Sequence, residues 1–216
     1  SSHTARCVEN VANAHRGFTL PQSRAQSESF RQIDNMMYDV DEFIGKVLEE
    51  HDTMEESKRA LLKALDASVS PLVRSLNFEE LSEDLEESLS ELFQKETPPA
   101  GTKIIHFGLR ETAEGCSLYV VGTRKRELPE FRDAEEWDWV GPHGGELKMP
   151  ALCTLWESVS GSREEEWEVV LAVAVIVLKH YLAENAGDFL SMINLSSVKV
   201  TAGFDEGDLY ELPLEE

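Results

Sequence analysis

The sequence is poor in the features that usually reveal a chemical activity. Its three cysteines, Cys7, Cys116 and Cys153, are odd in number and far apart, and none belongs to a C-x-x-C pair. This spacing argues against a disulfide framework and against a structural zinc site, and it predicts buried reduced thiols of the kind found in the cytosol. Glycine-rich phosphate-binding motifs and the G-x-S-x-G nucleophile motif are also absent. We therefore expect no cofactor.

Long hydrophobic runs are lacking too. The longest one covers residues 169–178, about half of the roughly twenty residues that a membrane-spanning helix needs. It predicts a core element rather than contact with a membrane. No secretory signal is recognised at the start of the sequence, so we expect a cytoplasmic protein.

Basic residues are scarce. The 216 residues include 42 acidic and 20 basic ones, which gives a net charge of −22. A negative field of this size repels nucleic acids and anionic membranes, and it attracts basic proteins. The alternative is that the acidity only keeps the protein soluble. Hydrophobic residues make up 41% of the chain, which is enough to fill a core at this length.

Helical patterns dominate the first 96 residues. A helix from Thr4 to His15 and a stripe of apolar residues between Phe30 and Val47 are followed by two helices with evident N-caps. Thr53 and Asn77 are the predicted caps, each with a glutamate three residues later, as in a capping box. We expect the third helix to end at Pro71.

The apolar period changes to two after the Pro- and Gly-containing segment 97–102. Residues 103–109 and 117–123 predict one β-hairpin, and residues 198–204 and 209–212 predict another. Between the hairpins, capping signals predict a buried helix over 169–178 that ends at residues 185–187, although a strand remains possible. We predict an α+β protein with a helical region (1–96), a linker (97–102) and an α+β domain (103–216) whose sheet is mostly antiparallel.

The most distinctive candidate site is Trp137-Asp138-Trp139, which follows Glu135 and Glu136. Two tryptophans at a spacing of two are expected on the same side of an extended segment. Aromatic rings among carboxylates can hold a partner rich in Arg or Lys. The alternative is that both rings pack over the sheet. The acidic side of the fourth helix, which includes Glu83 and Glu87, is the second candidate.

Other motifs suggest chemistry less directly. His143 lies in the glycine-containing loop 141–145, where a general acid or base would need a nearby partner. The acidic turn Asp205–Asp208 lacks the spacing of an EF-hand loop, so we expect a plain hairpin turn and no metal site. The basic residues 124–126 are expected to balance internal charge rather than to bind nucleic acid.

The part of the chain from residue 103 to residue 216 resembles small acidic bacterial toxin-immunity proteins. The similarity involves the hairpin within 104–119, the segment 137–139, the acidic start of the buried helix at 164–168 and the turn at 203–209. It implies a binding role without catalysis. We therefore expect an intracellular inhibitor that covers the active site of a basic partner such as a toxin. The alternatives are a hydrolase or metal-dependent enzyme that uses His143 with loop carboxylates, and an acidic adaptor protein.

Overall fold

The computed structural model describes residues 42–50, 52–65, 68–112, 115–126, 137–159, 167–204 and 209–214. Several predictions therefore concern residues outside these ranges. They are the helix from Thr4 to His15, most of the stripe that begins at Phe30, the residues Glu135 and Glu136, and the turn Asp205–Asp208.

Four of the six described helices were predicted from the sequence, and two, Ser70–Ser75 and Pro150–Val159, were not. The six are residues 42–50 (α1), Met54–Ala64 (α2), Ser70–Ser75 (α3), Phe78–Lys95 (α4), Pro150–Val159 (α5) and Trp167–Met192 (α6). Both predicted caps are confirmed, because Thr53 Oγ1 accepts a hydrogen bond from Glu56 N–H at 3.3 Å and Asn77 Oδ1 accepts one from Glu79 N–H at 3.2 Å. Each bond satisfies a backbone donor that the first helical turn leaves without a partner.

The strands form one mixed sheet. They are Ile104–Thr112 (β1), Gly115–Thr123 (β2), Trp139–Val140 (β3), Glu146–Leu147 (β4), Lys199–Phe204 (β5) and Leu209–Leu212 (β6). The order is β3-β2-β1-β5-β6, and β4 also pairs with β2. Only the central β1–β5 pair is parallel among the described pairings. The α+β class and the mostly antiparallel sheet are therefore confirmed.

The sheet is buried on both faces along β1 and β2. Ile105, Phe107 and Leu109 alternate with residues of the opposite face and join the main hydrophobic cluster, which also contains side chains of the helices. On the other face, Tyr119 and Val121 form a second cluster with Trp137. Helices that precede the 97–102 segment thus share one core with the sheet that follows it.

Helix α6 is the centre of the main cluster. It packs against α2, α4, α5, β5 and β6, and every residue from Val169 to Leu178 is buried. The predicted buried helix over 169–178 is confirmed. By length and composition, Glu168–Met192 could cross a membrane, but 83% of its most apolar window is buried within the protein, as in the core helix of a soluble protein.

Three details differ from the sequence analysis. Helix α6 does not end at residues 185–187. It continues through a non-helical Asn185 (φ −126°, ψ 24°) to Met192, because Phe189 is fully buried in the core and anchors the last turns. The third helix ends at Ala64 rather than at Pro71, which instead occupies the first turn of α3. Helix α5 and the short strands β3 and β4 were not predicted.

Candidate functional site

The exposed side of α4 carries a row of carboxylates. Its opposite side is fixed in the core by buried residues at helical spacing, which include Leu81, Leu85 and Leu92. Five glutamates of the helix are exposed: Glu79, Glu80, Glu83, Glu86 and Glu87. Because the helix is held along its length, these charges have a fixed arrangement on the surface.

Glu83 and Glu87 are one turn apart on this row, and neither forms a salt bridge with another residue in the described ranges. Glu91, one turn further, is different. It contacts Lys148 Nζ at 2.7 Å, and this hydrogen bond and charge hold the pKa of Glu91 below its ordinary value. The same bond raises the pKa of Lys148. Among the described residues, the exposed carboxylates of α4 without a salt bridge therefore lie on its N-terminal three turns, and Glu87 at the end of this row contributes to the raised pKa of Lys148.

Trp139 is part of the main core rather than of the surface. Its ring stacks on Phe93, with the ring centres 5.9 Å apart and the planes inclined by 17°. Its indole N–H donates a hydrogen bond to Glu96 Oε1 at 3.1 Å. The ring is only 5% exposed, so its contribution is to attach β3 to the C-terminal end of α4.

Trp137 lies on the opposite face of the sheet. It belongs to the second cluster, and its ring is parallel to the fully buried His106 ring at 5.4 Å. His106 Nδ1 is also 3.1 Å from Thr201 Oγ1. The expectation that Trp137 and Trp139 project to the same side is therefore wrong.

Asp138 explains why the two rings separate. The chain bends at Asp138, and the Asp138 carboxylate accepts hydrogen bonds from Arg124 N–H at 2.6 Å and from Thr123 Oγ1 at 2.9 Å. These bonds, followed by the charges of Arg124 and Lys125, lower the pKa of Asp138. The segment is not a regular strand at this point, so the alternation of sides is broken. Asp138 is thus used within the chain, next to the basic residues that were expected to balance internal charge.

The two candidate regions are connected but not adjacent. The contact of Trp139 with Glu96 places the tryptophan segment at the C-terminal end of α4. Glu83 precedes Glu96 by thirteen residues, which corresponds to about 20 Å along a helix axis. The carboxylate row of α4 is therefore a separate surface from the tryptophan segment.

His143 is exposed in a short 3-10 turn, Pro142–Gly145, and has a positive φ of 58°. No group of three or more His, Cys, Asp or Glu side chains suited to a metal ion occurs within the described ranges. Two open depressions, of about 620 and 900 Å³, are lined by parts of α1 and α2 and by the C-terminal part of α6, and neither includes a histidine. No observation on these residues assembles an acid–base site around His143.

Some buried polar residues have structural contacts that the sequence analysis missed. Ser57 Oγ is 2.9 Å from His180 Nε2, and Lys179 Nζ donates a hydrogen bond to Val47 O at 2.6 Å. Both contacts join α6 to the helices before β1. Nothing in the local sequence around Lys179 and His180 indicates these distant partners.

Cys116 and Cys153 also form an unpredicted contact, since their Sγ atoms are 3.9 Å apart. Cys116 is buried as expected, but Cys153 is partly exposed. The prediction of a buried thiol is thus confirmed for Cys116 and wrong for Cys153, and the two sulfur atoms meet because helix α5 packs against β2. Cys7 lies outside the described residues.

The fold thus defines an α+β protein with an enclosed apolar helix and an acidic helix on its surface. No family model matches the chain, and searches of curated proteins and of solved structures also gave no match.

Proposed function

We propose that this chain is an intracellular binding protein that recognises a basic protein partner through the exposed carboxylates of α4. The rigid row of exposed glutamates on α4 is the observation that supports the proposal. An inhibitor of the immunity type would use such a surface to cover a cationic active site. Electrostatic complementarity would speed the encounter and exclude acidic proteins.

The tryptophans have a different role in this proposal from the one expected at first. Trp137 and Trp139 are only 7% and 5% exposed, so neither ring is available to a partner, and in this proposal the partner contacts the carboxylates of α4. Replacing Trp139 with Ala should then lower stability by about 3–5 kcal/mol, as large-to-small changes of a buried aromatic do. A Trp139→Ala variant that remained fully stable but no longer bound the partner would show that the Trp139 ring is part of the interface.

The alternatives have less support on the described residues. An adaptor that docks through an apolar helix stripe needs exposed apolar side chains, and Leu209 on β6 is the one exposed large hydrophobic residue found there. An enzyme needs a pocket in which His143 meets carboxylates, and the depressions described above contain no histidine.

The test begins with capture of the partner from the native cell by crosslinking, followed by kinetic titration of the purified pair. The double variant Glu83→Lys/Glu87→Lys should slow association roughly tenfold at low salt, with a smaller change in dissociation. Association of the unaltered protein should slow as salt rises, because the Debye length is about 10 Å at 0.1 M.

A matched control separates local recognition from total charge. Glu184 and Asp188 are also exposed and one turn apart, but they lie on α6. The variant Glu184→Lys/Asp188→Lys changes the net charge by the same amount and should associate almost normally. If both double variants behave alike, or if the captured partner is acidic, recognition by α4 is refuted.

A further inference from the structure

Two cysteines that are 37 residues apart meet where α5 packs on the sheet. Cys116 is the second residue of β2, and Cys153 lies in the first turns of α5. The Cys153 thiol donates a hydrogen bond to Cys116 O at 3.1 Å, and the Cys116 thiol points to Cys153 Sγ at 3.9 Å. The two sulfur atoms are therefore neighbours, with the Cys116 thiol directed at Cys153 Sγ and the Cys153 thiol directed at the Cys116 carbonyl oxygen.

The two thiols differ in access and in acidity. Cys116 is buried, whereas Cys153 is partly exposed, so a small oxidant reaches Cys153 first. The hydrogen bond from Cys116 lowers the pKa of Cys153 to about 7, although burial and the Glu157 carboxylate oppose this. The same contact, together with burial, raises the pKa of Cys116. At neutral pH the accessible sulfur is thus the better nucleophile, since the thiolate is the reactive form.

The reaction that this arrangement permits is a two-step oxidation by a hydroperoxide. The Cys153 thiolate attacks one oxygen of hydrogen peroxide, the O–O bond breaks, and the other oxygen leaves as hydroxide and becomes water after taking a proton. Cys153 is then a sulfenic acid. The Cys116 sulfur attacks the Cys153 sulfur, the S–O bond breaks, and the hydroxyl group leaves as water with the Cys116 proton. In total, two thiols and one peroxide give one disulfide and two waters.

We propose that Cys153 and Cys116 form a peroxide-oxidisable dithiol site, in which Cys153 is attacked and Cys116 resolves it to a disulfide between α5 and β2. The sulfur atoms must approach by about 1.9 Å to reach a disulfide bond length. A dithiol reductant such as dithiothreitol should restore both thiols.

The experiment uses the full chain with Cys7→Ser, so that the third cysteine does not contribute. The protein is treated with hydrogen peroxide, its remaining free thiols are alkylated with iodoacetamide, and its mass is measured by mass spectrometry. We expect both thiols to be lost together, with a mass decrease of two hydrogen atoms and a peptide that links Cys116 to Cys153. In the variant that also carries Cys116→Ser, dimedone should label Cys153 as a sulfenic acid. With Cys153→Ser instead, Cys116 should remain reduced.

Other results would overturn the proposal. These are two thiols that stay reduced in the Cys7→Ser protein, a stable sulfenic acid on Cys153 despite the presence of Cys116, or a disulfide that joins two copies of the chain. If Cys116→Ser or Cys153→Ser does not fold, the linked peptide from the Cys7→Ser protein decides the question alone. The result is independent of the proposed recognition by α4.

Discussion

Replacing Val173 by Asp tests whether the central helix is enclosed by the protein. Val173 is fully buried in α6, and α6 is covered by helices and by strands of the sheet. A carboxyl group at this position has no solvent, so its neutral form is favoured and its pKa is raised, to about 8–9 in comparable buried sites.

The cost follows from the shift in pKa. At pH 7 the unfolded variant carries an ionised carboxylate with a pKa of about 3.9, and protonating it on folding costs about 4 kcal/mol at 1.36 kcal/mol for each pH unit. Loss of the buried valine side chain adds about 1.5–3 kcal/mol. The total of about 6 kcal/mol is comparable with the whole stability of an ordinary domain, about 5–15 kcal/mol.

The pH dependence distinguishes a buried charge from a general packing defect. The folded variant keeps its proton up to about pH 8, but the unfolded chain releases it above about pH 4, so the penalty is absent at low pH and grows as the pH rises. Val173→Asn has a similar shape and does not titrate. The difference in unfolding free energy between the Asp and Asn variants should therefore shrink by about 3 kcal/mol from pH 7 to pH 5.

The assay is urea unfolding followed by circular dichroism, with Ala183→Asp as the exposed control on the same helix. That control should change stability by no more than about 0.5 kcal/mol. If Val173→Asp is unfolded at pH 7, its folded fraction should rise towards pH 5 while that of Val173→Asn does not. A Val173→Asp protein that melts cooperatively at the normal temperature would refute the enclosure of α6.

Three further predictions concern the turn, a buried hydrogen bond and metals. Gly145→Ala should lower the melting temperature severely, because the residue has a φ of +72° and a Cβ there would lie 2.1 Å from Val120 O. The control is Gly187→Ala, which should be neutral or stabilising because a Cβ at Gly187 would meet no atom within 4 Å. Equal melting temperatures of the two variants would contradict this. Ser57→Ala should lower the free energy of unfolding, measured in urea, by about 1–3 kcal/mol, because it removes the hydroxyl group that the buried His180 ring contacts. An unchanged urea midpoint would show that this hydrogen bond is not needed. Dialysis against a chelator should leave the melting temperature unchanged, since no metal-binding group occurs on the described residues; a fall that is reversed by Ca²⁺ or Zn²⁺ would contradict that.

The parts of the fold that could be predicted are those with a local physical cause. The caps at Thr53 and Asn77 depend on side chains within three residues of the bonds they make, and the strands β1 and β2 follow from an alternation that each strand carries itself. Helix α5 also had a local signal, because Leu152, Leu155 and Val159 repeat at helical spacing after Pro150. This signal was not used, and no helix was predicted there.

The parts that could not be predicted depend on distant contacts. The separation of Trp137 from Trp139 requires a bend that Thr123 and Arg124 impose from a neighbouring strand. The contact of Cys116 with Cys153 depends on how α5 lies against the sheet. The carboxylate row of α4 was predictable as an exposed surface, because the helical period places acidic and apolar residues on opposite sides, but its distance from the tryptophan segment was not.

The parallel pairing of β1 with β5 has a consequence for the synthesis of the chain. Ile104 of β1 pairs with Lys199 of β5. During synthesis, the central strand β1 therefore lacks one of its two neighbours until nearly a hundred further residues have been added. Until then, one side of β1 presents backbone N–H and C=O groups without partners, a template for pairing with other chains. Helix α6 emerges in the same interval, and its residues 169–178 are apolar on every side of the helix. Incomplete chains therefore expose backbone groups and apolar side chains that pairing and packing cover in the finished protein, which exposes few large apolar side chains on its described surface.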